Sequence, residues 1–322
     1  MTTGFQQFEP PQHPKHAYVG HYPLSTSHHA PICIPLSSLF TPTTHHHSGG
    51  GFILSFSLSL SSKDLTDGFW FLNFDIWMAS SDRSPGPMPP GDGSVPPGKA
   101  MTMGQQVLDK GAQLMQSLKP VKQMSQHVCT FAMYSHDMTR QIETHHFLTR
   151  LNQDFLQCPV YDSDDSNARL IGVEYIVSEK VFNTLPAEEQ KLWHSHAYEI
   201  KSGLWVNPRV PEMVQNSELK DVVKTYGKFW CTWQVDRGDK LPLGAPALMM
   251  SPQDVNTGIV KPELVKKRDE KYKISSDNMK NSRANIETPK EMNPYADYWI
   301  KTGKGFAVDI EKTPMELRAP FP

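Results

Sequence analysis

The chain has 322 residues with 32 basic and 34 acidic side chains, a net charge of −2. That balance excludes a general electrostatic pull toward nucleic acid or an anionic membrane, so membrane attachment would have to come from apolar area. The four cysteines, Cys33, Cys129, Cys158 and Cys231, form no CxxC pair. They read as buried small hydrophobes in a reducing compartment rather than as a disulfide framework.

Residues 1–77 differ in composition from the rest. They are rich in Pro, Ser, Thr and His and include His45, His46 and His47, a low-complexity tract expected to be solvated rather than metal-bound. Leu, Ser and Phe alternate over 54–62 in the manner of a translated untranslated leader, which would make Met78 the natural start. An organelle transit peptide fits less well, because the segment has no arginine and four acids. The most apolar run, 51–60, spans about ten residues broken by serines, whereas a membrane-crossing helix needs roughly 20. Residues 78–100 form a Pro/Gly-rich arm expected to be disordered.

A single folded domain is expected over 101–322. It opens with the clearest helix of the chain, 101–119, where Met103, Val107, Leu108, Leu114, Met115 and Leu118 recur at three- and four-residue steps and Pro120 ends the run. Two readings of that stripe stand: it docks on the domain, or it lies at a lipid surface or in a partner groove. Alternation of apolar residues predicts strands at 127–134, 141–148, 170–177, 198–206 and 228–235. In the third, Ile171, Val173, Tyr175 and Val177 share a face. Helices are predicted at 186–193, at 217–226 with Ser217 as cap and Gly227 as stop, at 262–272 and at 294–301. Strands and helices interleave without βαβ spacing. The expected class is therefore α+β, a largely antiparallel sheet with flanking helices, preceded by a disordered N-terminal arm. Residues 252–322 are polar, with Tyr295, Tyr298, Trp299 and Phe306 available to tack the segment onto the domain.

Every histidine beyond residue 77 lies in one block: His127, His136, His145, His146, His194 and His196. His194 and His196, two residues apart and followed by Glu199, have the makings of a facial metal set. The spacing to Glu199 and Gly203 does not fit the cupin signature. His146 could join His194, His196 and Glu199 to hold zinc or iron. His145 and His146 face opposite ways on a strand, so only one of them can serve a given face. The same residues could equally line a polar pocket or be structural. No nucleophile elbow, phosphate-binding loop or complete calcium loop is present. The mixed charges of 266–273 favour a solvated helix over a nucleic-acid patch.

Several stretches together point to one family. They are the run Glu143, Thr144, His145, His146, Phe147; the run Gln157, Cys158, Pro159, Val160, Tyr161, Asp162; and Leu170, Ile171, Gly172, Val173, Glu174, Tyr175. Leu192, Trp193 and His194 with His196, Tyr198, Glu199, Lys201 and Gly203 belong to the same likeness, as do 246–251 and Tyr298 and Trp299 with 303–306. This likeness to the plant oil body-associated protein family extends over nearly all of 78–322 and leaves 1–77 outside. It implies a peripheral, non-catalytic protein of seeds and embryos at the lipid-droplet surface and in the cytosol. Such a protein would support droplet size and stability and would meet the droplet surface or a droplet protein. The alternative is a soluble metal-dependent enzyme or small-ligand binder using His145, His146, His194, His196 and Glu199.

Overall fold

The computed structural model describes residues 80–83, 93–254 and 260–314, so the expectations for 1–77 and most of the arm that follows lie outside the described residues. The first described helix, α1 (Met103–Met115), starts at Thr102, whose hydroxyl accepts from Gln105 N–H while the Gln105 side chain accepts from Thr102 N–H. This reciprocal pair satisfies two otherwise orphaned donors and fixes the helix start. The helix ends at Met115, earlier than expected. Pro120 then sits in the first turn of a second short helix, α2 (Lys119–Lys122), instead of acting as the first stop.

Beyond α2 the chain forms β1 (Gln126–Tyr134), β2 (Asp137–Asn152), β3 (Phe155–Tyr161) and β4 (Leu170–Ser178), an antiparallel meander. After two short helices, α3 (Glu179–Phe182) and α4 (Ala187–Gln190), come β5 (His194–Ser195), α5 (Ala197–Lys201) and α6 (Glu212–Val222). The strands β6 (Thr225–Cys231) and β7 (Ala247–Met250) complete the sheet. β6 pairs with β4, β7 with β6, and β1 with β7, all antiparallel. The six strands thus close into an antiparallel barrel, with β5 as an extra piece on the edge of β6. The expectation of a largely antiparallel sheet holds, and closure is the more specific result. It removes sheet edges, which would otherwise expose unpaired backbone groups.

Alternation places two apolar layers inside the barrel. Val128, Leu148, Leu156, Cys158 and Ile176 belong to one cluster, which α5 and α6 extend with Ile200 and Leu219. Ala132, Ile142, Val160, Phe229 and Met249 belong to the other. Between them, along β1, β2 and β4, lie Thr130, Thr144, His146 and Glu174, all buried.

Two expected elements are corrected. Residues 198–206 are not a strand. α5 ends there, Gly203 takes a left-handed φ of +79°, and only Val206 touches the sheet, opposite Cys129. A side chain at Gly203 would also collide with the Ser276 carbonyl, so the turn requires glycine. The helix expected at 217–226 begins at Glu212 after Pro211 and stops at Val222. Ser217 lies inside it, bonding back to Val214 O, while Thr225 and Tyr226 enter β6, where the β-branched and aromatic side chains suit the pleat.

Three further helices, α7 (Pro262–Tyr272), α8 (Ser276–Ser282) and α9 (Tyr298–Thr302), pack outside the barrel. Trp299 from α9 joins Met133, Leu248 and Met250 in an outer cluster, with Phe306 beside it. Tyr298 packs against Phe306, whereas Tyr295 is exposed. The charged run 266–273 is not wholly solvated, because Arg268 is fully buried, donating to Leu204 O and lying 5.0 Å over the Phe131 ring. No described helix is long and apolar enough to cross a membrane.

Candidate functional site

The polar layer inside the barrel centres on Glu174. β4 carries it inward with Gly172 and Ile176, while Val173 and Tyr175, read from the sequence as part of one apolar face, point to the exposed side. β2 brings His146 Nδ1 to 2.8 Å from Glu174 Oε2. β5 brings His194 Nε2 to 3.0 Å from Glu174 Oε1. His196, which precedes α5, places Nε2 at 3.6 Å from the same oxygen. Glu199, on α5, lies 3.9 Å from His196 Nε2 and accepts a 2.7 Å bond from the Thr130 hydroxyl. His146, His194, His196 and Glu199 therefore meet in one place. The central carboxylate is Glu174, which sequence reasoning missed. Its one signal was an acid sharing a strand face with Ile176.

His145 points to the other side of β2, as alternation requires. There it lies 3.0 Å from His127 and 3.2 Å from Glu143, with the Cys129 thiol nearby. Both His145 nitrogens are thus engaged. Burial, reinforced by the Glu143 charge, pushes the Cys129 thiol well up. His136 follows β1 and edges against the Tyr134 ring, away from both groups.

Burial governs the charges of the inner site. By itself it would raise Glu174, but His146, His194 and His196 around the carboxylate more than reverse this and hold it well below the usual range. Burial lowers His194, yet bonding to Glu174 and the charges of Glu174, Glu199 and Asp297 raise it overall. His196 is lowered, burial outweighing the pull of Glu174. Burial pushes Glu199 up to about 8. A cavity of about 10 Å3 adjoins the group, lined by Thr130, His146, Glu174, His194, Glu199 and Trp205 among others. It has room for about one water, which excludes an organic substrate of any size in this conformation.

The six described residues of the apolar stripe expected in 101–119 lie elsewhere. Met103, Val107, Leu108, Leu114, Met115 and Leu118 are all exposed, Leu114 by 88 %, and no residue of α1 is buried. This overturns the reading in which the stripe docks on the domain. Its helical spacing was satisfied locally, and nothing on the barrel receives it.

The family model described as "Protein of unknown function (DUF1264)" matches residues 118–287. Oil body-associated protein 2A of Arabidopsis thaliana is 63 % identical over 247 residues, 76 % of this chain and 100 % of the relative. Oil body-associated protein 2A of Zea mays is 58 % identical over 252 residues, again 76 % of this chain and 100 % of the relative. Oil body-associated protein 1B of Arabidopsis thaliana is 42 % identical over 221 residues, 68 % of this chain and 90 % of the relative. No solved structure matches the chain. With such identity maintained along the entire length of two relatives, the chain belongs to the oil body-associated protein family.

Proposed function

We propose that this protein attaches peripherally to oil bodies and supports their size and stability in seeds and embryos without catalysing a reaction, exchanging between the droplet surface and the cytosol. The observation that carries this reading is the 63 % identity to a relative named for oil-body association, aligned over that relative's whole length.

The structure supplies a device suited to peripheral contact. No described helix can span a bilayer, so attachment would be shallow. α1 presents five exposed aliphatic side chains on a helix whose only charges are Asp109 and Lys110. Fully burying each would contribute about 1.5–3 kcal/mol. Partial immersion of five such groups gives reversible adsorption, in keeping with a protein that also occupies the cytosol. Lipid contact would also stabilise a helix of 13 residues, a length that is marginal alone in water.

The test is recovery of a chain lacking 101–118 with isolated oil bodies. Since α1 buries nothing, the truncated chain is expected to fold and to leave the oil-body fraction. Unchanged recovery of the folded, truncated chain would remove α1 as the contact.

A further inference from the structure

One histidine of the inner site, His196, is held in a fixed tautomer by its neighbour. The Thr225 hydroxyl donates to Val222 O at 2.7 Å and lies 2.8 Å from His196 Nδ1. Having spent its proton on the carbonyl, it accepts from His196 Nδ1–H. Neutral His196 therefore carries a bare lone pair on Nε2, the atom aimed at Glu174. His146 meets the other oxygen of Glu174. Its Nδ1 lies 2.8 Å from Glu174 Oε2, a charge-assisted hydrogen-bond distance, and its Nε2 lies 2.9 Å from the Thr144 hydroxyl. His196 Nε2 has no hydrogen-bond partner, although it is buried.

A lone pair facing a carboxylate in a dry interior is repulsive unless a cation sits between them. Anchoring the far nitrogen of a histidine in this way is how proteins orient metal ligands.

The backbone opposite keeps the meeting point open. A β-carbon at Gly227 would lie within 2.7 Å of three atoms at once: Glu174 Oε1, His194 Nε2 and His196 Nε2. These same atoms all lie within 4.8 Å of one another. A zinc ion with bonds of ~2.0–2.1 Å in tetrahedral geometry has donor-to-donor edges of about 3.3 Å. The separations from Glu174 Oε1, 3.0 Å to His194 and 3.6 Å to His196, straddle that edge.

We propose that Glu174 Oε1, His194 Nε2 and His196 Nε2 bind one divalent first-row transition-metal ion, with zinc as the reference, inside the barrel. His146 is a positioning residue, holding Glu174 by its second oxygen. The ion takes the place of the proton between His194 and Glu174. Two imidazoles and a carboxylate form a borderline donor set suited to zinc, and the small cavity beside Glu199 leaves room for a water as fourth ligand. Burial of all three ligands means that the ion is acquired during folding and exchanges slowly.

The test uses the full chain without a purification tag, with His45, His46 and His47 replaced by serine so that this tract cannot contribute. Protein is purified from cells grown with added zinc and examined by native mass spectrometry, elemental analysis and release of zinc to a competing chelator. The expected result is one tightly held zinc per chain, absent from the isosteric Glu174→Gln variant. Thr225→Val leaves the ligands in place but removes the acceptor behind His196, so it should weaken zinc retention by about 10- to 100-fold. That variant keeps the test decisive should Glu174→Gln fail to fold. Folded protein without zinc would overturn the site, as would zinc retention unchanged in Thr225→Val and in any folded Glu174→Gln.

Discussion

The backbone of Gly227 on β6 approaches the Glu174 carboxylate of β4 so closely that a single added methyl group would overlap it and both neighbouring histidine nitrogens. Gly227→Ala should therefore cost about 1–3 kcal/mol through overpacking in a rigid barrel wall. The check is the urea midpoint at unchanged slope. Wild-type stability would mean that the inner site has slack around Gly227.

Arg283 supplies a second test of the core. Its guanidinium is fully buried and donates to the carbonyls of Ile200 and Trp205 and to the Glu212 carboxylate. It ties α8 to the segment carrying His196 and Glu199. Arg283→Met removes the guanidinium from two carbonyls and a carboxylate, and a loss of about 3–5 kcal/mol is expected in equilibrium denaturation. Arg283→Lys should recover only part of it, because a point charge cannot reproduce the planar fork.

Acid stability should depend on Asp236. Burial raises this carboxyl, but bonds from Arg140 at 2.7 Å and the Tyr134 hydroxyl at 2.6 Å outweigh it and hold the group below its ordinary value of 3.8. In the unfolded chain Asp236 titrates near the ordinary value. The stabilising contribution is thus complete above that pH and is lost as pH falls through the lower folded value. Asp236→Asn should lower stability at pH 7 and flatten the stability profile below pH ~4. A profile in that range as steep as wild type would show that other carboxylates carry the acid sensitivity.

These interactions also show what the sequence revealed. Alternation located β1 and β4, and the three- and four-residue periodicity located α1, because each pattern is complete within its own segment. β3 escaped notice because Pro159 interrupts a run that alternates Gln157 with Cys158. β7 escaped because all four of its residues are buried, leaving no polar alternation to read. Barrel closure depends on β1 meeting β7 and β4 meeting β6, pairings between distant segments that no local pattern encodes. The histidines of the site stood out by rarity. Glu174 did not, because its role arises only when β2, β4 and β5 come together.

Charges on α1 separate adsorption from folding. Val107→Glu combined with Leu114→Glu places two acids on an exposed stripe, so unfolding midpoints should stay within about 0.5 kcal/mol of wild type. Recovery with oil bodies should fall severalfold. Equal recovery would shift the contact to another exposed group, such as Met213 and Val214 on α6.

The most direct measurement is flotation of the purified full chain with protein-free droplets of triacylglycerol coated by neutral phospholipid. Direct adsorption through apolar area predicts that the protein rises with the droplets and stays there at high salt, since no polybasic patch is involved. Protein left entirely in the aqueous layer, while binding oil bodies that retain their own coat, would contradict direct lipid contact and place a droplet protein between this chain and the oil.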